Sequence, residues 1–115
     1  MARYTSSYIV SLPFAKIGEL VVEVLTSCPL EITYNTGDYI MAKEKPGQVT
    51  FSKLVSVEIL IERTTSTPKE TKFTLVVNNT ELPLQVDNHC YQMFQLVSQA
   101  LVGCRNWQII EPVAG

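Results

Sequence analysis

The residues best suited to chemistry lie in one short stretch around the chain's single histidine. His89 lies between Asp87 and Cys90, and Cys104 follows further along the chain. A cysteine nucleophile needs a base within hydrogen-bonding distance and a lowered thiol pKa. Consecutive helical residues point about 100° apart, so His89 and Cys90 would diverge, with Cys90 on an apolar stripe. We therefore predict core or capping roles here, and a non-enzymatic protein.

The cysteines and the histidine also do not match a metal site. A structural zinc site takes four ligands, usually with paired cysteine spacing. This chain has three scattered cysteines, Cys28, Cys90 and Cys104, and one histidine. An odd number of cysteines without paired spacing is not typical of a disulfide framework. We predict no metal ligands and no cofactor, and we expect Cys28 and Cys90 to be buried, reduced and inert.

Lys53 stands out because it interrupts an apolar row. Every second residue from 49 to 61 is apolar except Lys53, which is typical of a long strand with one core face. A buried lysine needs a partner or a lowered pKa, and it can form a Schiff base. Three structural explanations for a lysine at position 53 are favoured over a chemical role. The strand begins outside the core, a bulge shifts its phase, or the amine reaches water.

The rest of the chain supplies the elements that position these residues. At about 3.3 Å per residue, a strand over 49–61 would be roughly 40 Å long and would form the centre of a sheet. Proline, glycine and asparagine mark the breaks between elements. The pattern predicts strands at 4–12, 30–34, 39–45, 49–63, 71–78 and 81–86, helices at 13–28 and 90–104, and an edge strand or docked tail at 106–111.

This order predicts a single α+β domain over residues 1–115, a curved antiparallel sheet with two helices on one face. This order of elements resembles the TATA-binding-protein-like and helix-grip folds, including the Bet v 1 and START-type ligand-binding families. Bet v 1 proteins place two short helices where residues 13–28 have room for one long helix. The predicted core packs one sheet face against both helices, through Val55, Val57, Ile59 and Phe73 on the strands and Ile17, Val21, Phe94 and Val97 on the helices.

Two segments carry a second resemblance. GDYIMAKEKPG (37–47) and LPLQVDNHCYQMFQLV (82–97) look like a small cyanobacterial and plastid family without an assigned role. The resemblance implies the cytosol of a phototroph or the stroma of a plastid, and it implies no chemistry and no functional residues.

Composition excludes several classes of function. The net charge is −2 without a basic cluster, so nucleic acid is not an expected partner. No segment approaches the ~18 apolar residues of a membrane span. The N-terminal sequence MARYTSSYIVSLP lacks the apolar centre of a signal peptide, so we expect a cytoplasmic protein.

Three groups of residues are candidate surfaces. The first is an apolar row on the outer sheet face, the second an uncharged face of the second helix, and the third a set of tyrosines that could line a pocket. They comprise Ile40, Leu54, Leu60 and Val76; Gln92, Gln95 and Gln99; and Tyr8, Tyr34 and Tyr39 with Lys53. The first two favour a protein-interaction or assembly domain that binds a partner or a second copy. The third favours a carrier of a small apolar ligand between sheet and helices. Scattered apolar residues and tyrosines at the core edge are the simpler alternatives.

Overall fold

The computed structural model describes residues 2–47, 54–63, 66–79, 89–103 and 109–113. Within these residues the chain forms six strands and two helices. Their bounds are β1 Ala2–Val10, α1 Phe14–Ser27, β2 Leu30–Asn35, β3 Tyr39–Glu44, β4 Ser56–Ile61, β5 Thr71–Asn79, α2 His89–Val102 and β6 Ile109–Val113.

The strands form one antiparallel sheet in the order β2-β3-β4-β5-β1-β6. Because β1 pairs with β5 while β2 lies at the opposite edge, α1 must carry the chain back across the sheet. Buried residues of both helices join the same cluster as one face of the strands. The prediction of an α+β fold is therefore confirmed. None of the described helices is long and apolar enough to cross a bilayer.

Each helix follows from an apolar stripe and a clear stop. α1 buries Ile17, Val21, Val24 and Leu25 at three- and four-residue spacing. It follows Pro13 and ends before Cys28, whose backbone is extended and whose N–H donates to the Leu25 carbonyl at 3.2 Å. α2 presents a similar stripe to the sheet, made of Cys90, Met93, Val97 and Leu101.

The predicted core residues are buried together. Val55, Val57, Ile59 and Phe73 lie in one cluster with Ile17, Val21 and Val97, and Phe94 packs against it partly buried. The cross-strand register explains this, because Val57 pairs with Val77 and Ile61 pairs with Phe73 on the same face. The sheet therefore has a core face, under the helices, and an outer face.

The long central strand is shorter than predicted in the part that the structure describes. β4 covers Ser56–Ile61, and Leu54 and Val55 precede it outside regular strand structure. The Glu44 N–H nevertheless donates to the Val55 carbonyl at 3.0 Å, which continues the contact with β3. Lys53, Cys104 and the predicted strand at 81–86 lie outside the described residues. β6 pairs with β1 as an edge strand, so the C-terminal segment is not simply a docked tail.

Ile40 corrects the predicted orientation of β3. We expected it on the outer face, but it is fully buried in the core. Sequence numbering does not fix the face of a strand, because the register to its neighbour does. Here Ile40 pairs with Ile59 and Ala42 pairs with Val57, so the even-numbered residues of β3 share the core face with the odd-numbered residues of β4.

Candidate interaction surface

The outer face has a centre with a single charged side chain, and its other charges lie towards the strand ends. Two adjacent cross-strand rows make up this centre, which we call the central rows. They are Tyr39, Leu60, Thr74 and Ser7, and Met41, Glu58, Val76 and Thr5. A hydrogen bond of 2.9 Å between the Ser7 and Thr74 hydroxyls joins two strands within the first row. Glu58 is the one charged side chain of the central rows.

A β-bulge adds a tyrosine to this face. Ile32 pairs with Ala42 and Tyr34 pairs with Met41, so Thr33 is the extra residue in β2. The bulge moves Tyr34 from the core side to the outer face, where it is 55% exposed. Regular alternation along the predicted strand at 30–34 would place Tyr34 on the face of Ile32, but the single inserted residue reverses the alternation.

The turn after β2 holds Tyr34 close to Tyr39. The Asn35 side-chain oxygen accepts the Gly37 N–H at 2.9 Å, and Gly37 has φ +94°, which favours glycine. The two tyrosine rings lie with their centroids 5.9 Å apart and their planes at 67°. This is the edge-to-face arrangement that aromatic pairs prefer.

Glu58 acts directly on Tyr39. Partial burial raises the pKa of the Tyr39 phenol, and the Glu58 carboxylate raises it further through its charge and through the hydrogen bond it accepts. Tyr34 adds a smaller contribution in the same direction. An ordinary phenol, with a pKa of about 10, is already protonated at neutral pH, and the raised pKa extends the protonated range to higher pH. Sequence reasoning missed this pair, although Glu58 alone interrupts the uncharged outer row.

The predicted apolar row forms only in part. Leu60 lies on the outer face and is 40% exposed, while Val76 lies on the same face but is buried among its neighbours. Leu54 is half-buried before the start of β4, at the opposite end of the strand from Leu60. Ile40 belongs to the core. The structure brings Leu60 together with Tyr39 instead, because these two residues are a cross-strand pair.

The tyrosines do not converge on one pocket. Tyr8 lies in the core, its ring centroid 5.6 Å from that of Phe73, whereas Tyr34 and Tyr39 lie on the outer face. Tyr8 is also in β1, three strands away from β3 in the sheet order. Lys53, the fourth residue of the predicted pocket, lies outside the described residues.

α2 presents the uncharged surface that the sequence predicts. Gln92, Gln95 and Gln99 are exposed, and the Gln95 amide donates to the Tyr91 hydroxyl at 3.1 Å. Exposed apolar side chains lie among them, namely Tyr91, Leu96 and Val102. This helix face is therefore a second candidate surface.

The His89 side chain contacts the buried Glu44 carboxylate. Its Nε2 lies 2.8 Å and 3.0 Å from the two carboxylate oxygens of Glu44, and Glu44 Oε1 also accepts the Val55 N–H at 3.2 Å. The Glu44 side chain is 2% exposed and that of His89 is 14% exposed. The contact ties the start of α2 to β3.

The described thiols lie in apolar surroundings. Cys28 and Cys90 are both buried. Burial raises the pKa of the Cys28 thiol, and a hydrogen bond with Ser27 opposes this only in part. The Cys90 thiol donates to the Val77 carbonyl at 3.5 Å. Within the described ranges, no group of three or more cysteine, histidine or acidic residues could hold a metal ion.

A groove of about 430 Å³ lies between α1 and the turn after β2. A methyl group placed on Gly18 would lie 3.4 Å from the Gly37 carbonyl oxygen, so helix and turn approach closely there. The Arg63 guanidinium covers the Phe14 ring at 4.8 Å from its centroid. The groove is lined by Phe14, Ala15, Gly18, Glu19, Val22, Asn35 and Gly37.

Comparison of the chain with protein-family models, curated proteins and solved structures finds no match. The resemblances to the helix-grip folds and to the cyanobacterial and plastid family therefore stay predictions.

Proposed function

We propose that this chain is a non-enzymatic interaction domain that binds another protein with the outer face of its sheet. One observation carries the proposal. The outer face exposes Tyr34 and Leu60 beside Tyr39, around a single charge at Glu58. Exposed apolar and aromatic side chains that adjoin one another mark interaction sites more often than scattered ones do, and tyrosine is enriched at such sites.

The size of the face suits a transient complex. Strands lie about 4.8 Å apart and rise about 3.3 Å per residue, so five strands over six residues cover roughly 500 Å². A partner that covers this area would bury about 1,000 Å² in total, at the lower end of specific interfaces. The proposal is therefore a modest, face-to-face contact.

The edges of the sheet are less suited to a partner. The edge strand β2 contains the bulge at Thr33, and the other edge strand, β6, contains Pro112. Bulges and prolines are the devices that keep edge strands from pairing with other chains. A partner that adds a strand to the sheet is thus a poorer fit than one that covers its outer face.

The buried polar pair does not favour catalysis. His89 Nε2 contacts both carboxylate oxygens of Glu44, and both side chains are largely buried. A catalytic base must reach a proton of the substrate. We therefore assign this pair a structural role and propose no reaction.

The test compares two matched double variants. The outer-face variant carries Tyr34→Thr and Leu60→Thr, which keep strand propensity and remove apolar area. The α2 variant carries Leu96→Gln and Val102→Gln, which change an exposed helix face and keep helix propensity. Each protein is cross-linked in an extract of its natural source, and its pure form is measured by size exclusion with light scattering.

We expect the wild type and the α2 variant to retain one partner that the outer-face variant loses. If the wild type self-associates and the outer-face variant is a monomer, the partner is a second copy. If the outer-face variant keeps the partners and the oligomeric state of the wild type, the proposal is wrong. A loss confined to the α2 variant would assign binding to the helix face of Gln92, Gln95 and Gln99.

The groove supports a second candidate function, a carrier of a small apolar ligand. Its volume of about 430 Å³ falls in the range of small-molecule sites, and Phe14, Ala15 and Val22 give it apolar walls. Ala15→Phe would fill the groove from an exposed helix position. A neutral naphthylamine dye should gain fluorescence with the wild type and with the outer-face variant, but not with Ala15→Phe. Equal signals from all three proteins would exclude the groove.

A further inference from the structure

Tyr34, Tyr39 and Glu58 form one cluster on three neighbouring strands of the outer face. We call it the tyrosine–glutamate cluster. Tyr34 and Glu58 are the cross-strand neighbours of Met41 on either side, so both flank one residue of β3. Tyr39 packs edge-to-face on Tyr34 and donates its hydroxyl to Glu58. The cluster thus combines two aromatic rings with a carboxylate.

This combination matches the chemistry that recognises a cation. The face of an aromatic ring attracts an ammonium or guanidinium group within about 6 Å of its centre. Tyr34 is the most exposed of the large apolar side chains in the described part of the chain. A carboxylate accepts the paired N–H groups of arginine, whose flat guanidinium can also stack on a tyrosine.

The distances suit one long cationic side chain. Tyr34 and Glu58 are separated by a single intervening strand, which places their backbones roughly 10 Å apart. A guanidinium above Met41 would lie about 5 Å from each of the two flanking strands, within reach of the Tyr34 ring and the Glu58 carboxylate. Met41 would contact the apolar stem of the same side chain.

Two lysines of the outer face, Lys43 and Lys72, lie outside the central rows. Lys72 pairs with Glu62 at 3.9 Å, and Lys43 lies opposite Glu31 in the register of β2 and β3. Glu58 is therefore the single charge of the central rows, and the other charged residues of this face lie outside those rows. Partial burial is the first cause of the raised Tyr39 pKa, and the Glu58 carboxylate beside it adds to the rise.

We infer that the partner of the outer face inserts an arginine side chain between Tyr34 and Glu58, over Met41. This inference rests on the proposed function of the outer face, and it adds the chemical class of the partner's contact residue. The partner segment is basic, and its arginine stacks on Tyr34 and pairs with Glu58.

The experiment titrates the full ¹⁵N-labelled chain with a short probe peptide, acetyl-GGRGG-amide, and follows the backbone amide resonances. The matched probe replaces arginine by citrulline, which keeps the shape and removes the charge. Glu58→Gln removes the carboxylate charge of the cluster, and Tyr34→Leu removes its exposed ring. Glu62→Gln is the control, because it neutralises an outer-face carboxylate outside the cluster.

We expect millimolar binding of the arginine peptide, with shifts concentrated at residues 34, 39, 41 and 58 and lost at high salt. Glu58→Gln and Tyr34→Leu should each weaken binding by about threefold or more, while Glu62→Gln leaves it within twofold. The citrulline peptide should bind at least about threefold more weakly than the arginine peptide.

The inference would be overturned if the wild type bound the citrulline peptide as tightly as the arginine peptide. It would also be overturned if Glu58→Gln bound the arginine peptide as tightly as the wild type does. The inference would also be wrong if tetramethylammonium shifted the same amides while the arginine peptide had no effect. The cluster would then bind a small quaternary cation and not an arginine. These failures are distinct from that of the proposed function. If Glu58→Gln keeps the partner that the outer-face variant loses, the face binds its partner without this contact.

Discussion

Two glutamates on adjacent strands show how differently the two faces of this sheet use a carboxylate. Glu44 of β3 lies on the core face, where His89 and the Val55 N–H contact its oxygens. Glu58 of β4 lies on the outer face, half-buried, and accepts a hydrogen bond from Tyr39. A buried charge is tolerated only when its partners are supplied within the fold. The charge on the outer face can still gain a partner from outside.

The two faces of the sheet should also differ in what a substitution affects, stability on one face and binding on the other. Changes on the core face should cost free energy of unfolding, whereas changes at the centre of the outer face should leave folding intact and affect contacts with other molecules.

Val57→Asp should have the largest effect. Val57 is fully buried between its cross-strand partners Ala42 and Val77, so an aspartate there would be an unpaired buried charge. We expect a loss of several kcal/mol and no cooperative unfolding transition by circular dichroism. Ser56→Asp, one residue earlier and on the opposite face, is the control and should fold. A soluble Val57→Asp protein with the thermal midpoint of the wild type would contradict the register.

Glu44→Leu should destabilise the protein by about 3 kcal/mol, because it removes the acceptor of the His89 imidazole and of the Val55 N–H. Glu44→Gln keeps an acceptor and should cost less. The free energy of unfolding in urea measures both. Glu58→Gln on the outer face is the matched control, with an expected change within about 0.5 kcal/mol. Equal losses for Glu44→Leu and Glu58→Gln would remove the distinction between the faces.

Much of the fold follows from local sequence signals. The α1 stripe that includes Ile17 and Val21 has helical spacing, Pro13 and Pro29 flank the helix, and the alternation that includes Val57 and Ile59 marks a strand with one core face. These signals are reliable because each depends on residues that are close in the chain. The two helices, the strands β1 to β5 and the core could therefore be predicted without the structure.

The outer face could be predicted less well, because it depends on pairing between strands. Ile40 was placed on the wrong face because its orientation follows from the register to Ile59. The bulge at Thr33 brings Tyr34 to the outer face, and no local pattern marks that inserted residue. Glu44 was likewise missed as a core residue, since its partner His89 is distant in sequence.

Cys28 and Cys90 should react with a thiol reagent much more slowly than an exposed cysteine. Both are buried, and the raised pKa of Cys28 keeps its reactive thiolate scarce at neutral pH. The measurement uses a Cys104→Ser background, with Gln99→Cys added as the exposed control. Labelling of Cys28 should rise with pH and on addition of urea. Labelling of either native thiol as fast as the Gln99→Cys thiol would contradict their placement in the core.

The smallest expected effect is a change in the ionisation of one phenol, and it tests the outer-face cluster directly. The pKa of Tyr39 is raised above the ordinary value of about 10, first by partial burial and then by Glu58. A raised pKa in the folded state means that Tyr39 contributes stability below pH 10, and that this contribution is lost as the pH rises through its folded-state pKa. Glu58→Gln removes the charge, so Tyr39 should ionise at a lower pH than in the wild type.

Absorbance at 295 nm over an alkaline titration measures this, and subtracting the curve of Tyr39→Phe isolates the Tyr39 phenol. Glu62→Gln is again the control, because it removes an outer-face carboxylate that pairs with Lys72 instead. If Glu58→Gln and Glu62→Gln both leave the Tyr39 curve unchanged, the Glu58 charge does not reach the ring. A cation on the outer face would then have no reason to choose this cluster. If Glu58→Gln alone lowers the pKa, the single negative charge of the central rows lies where the arginine of a partner would need it.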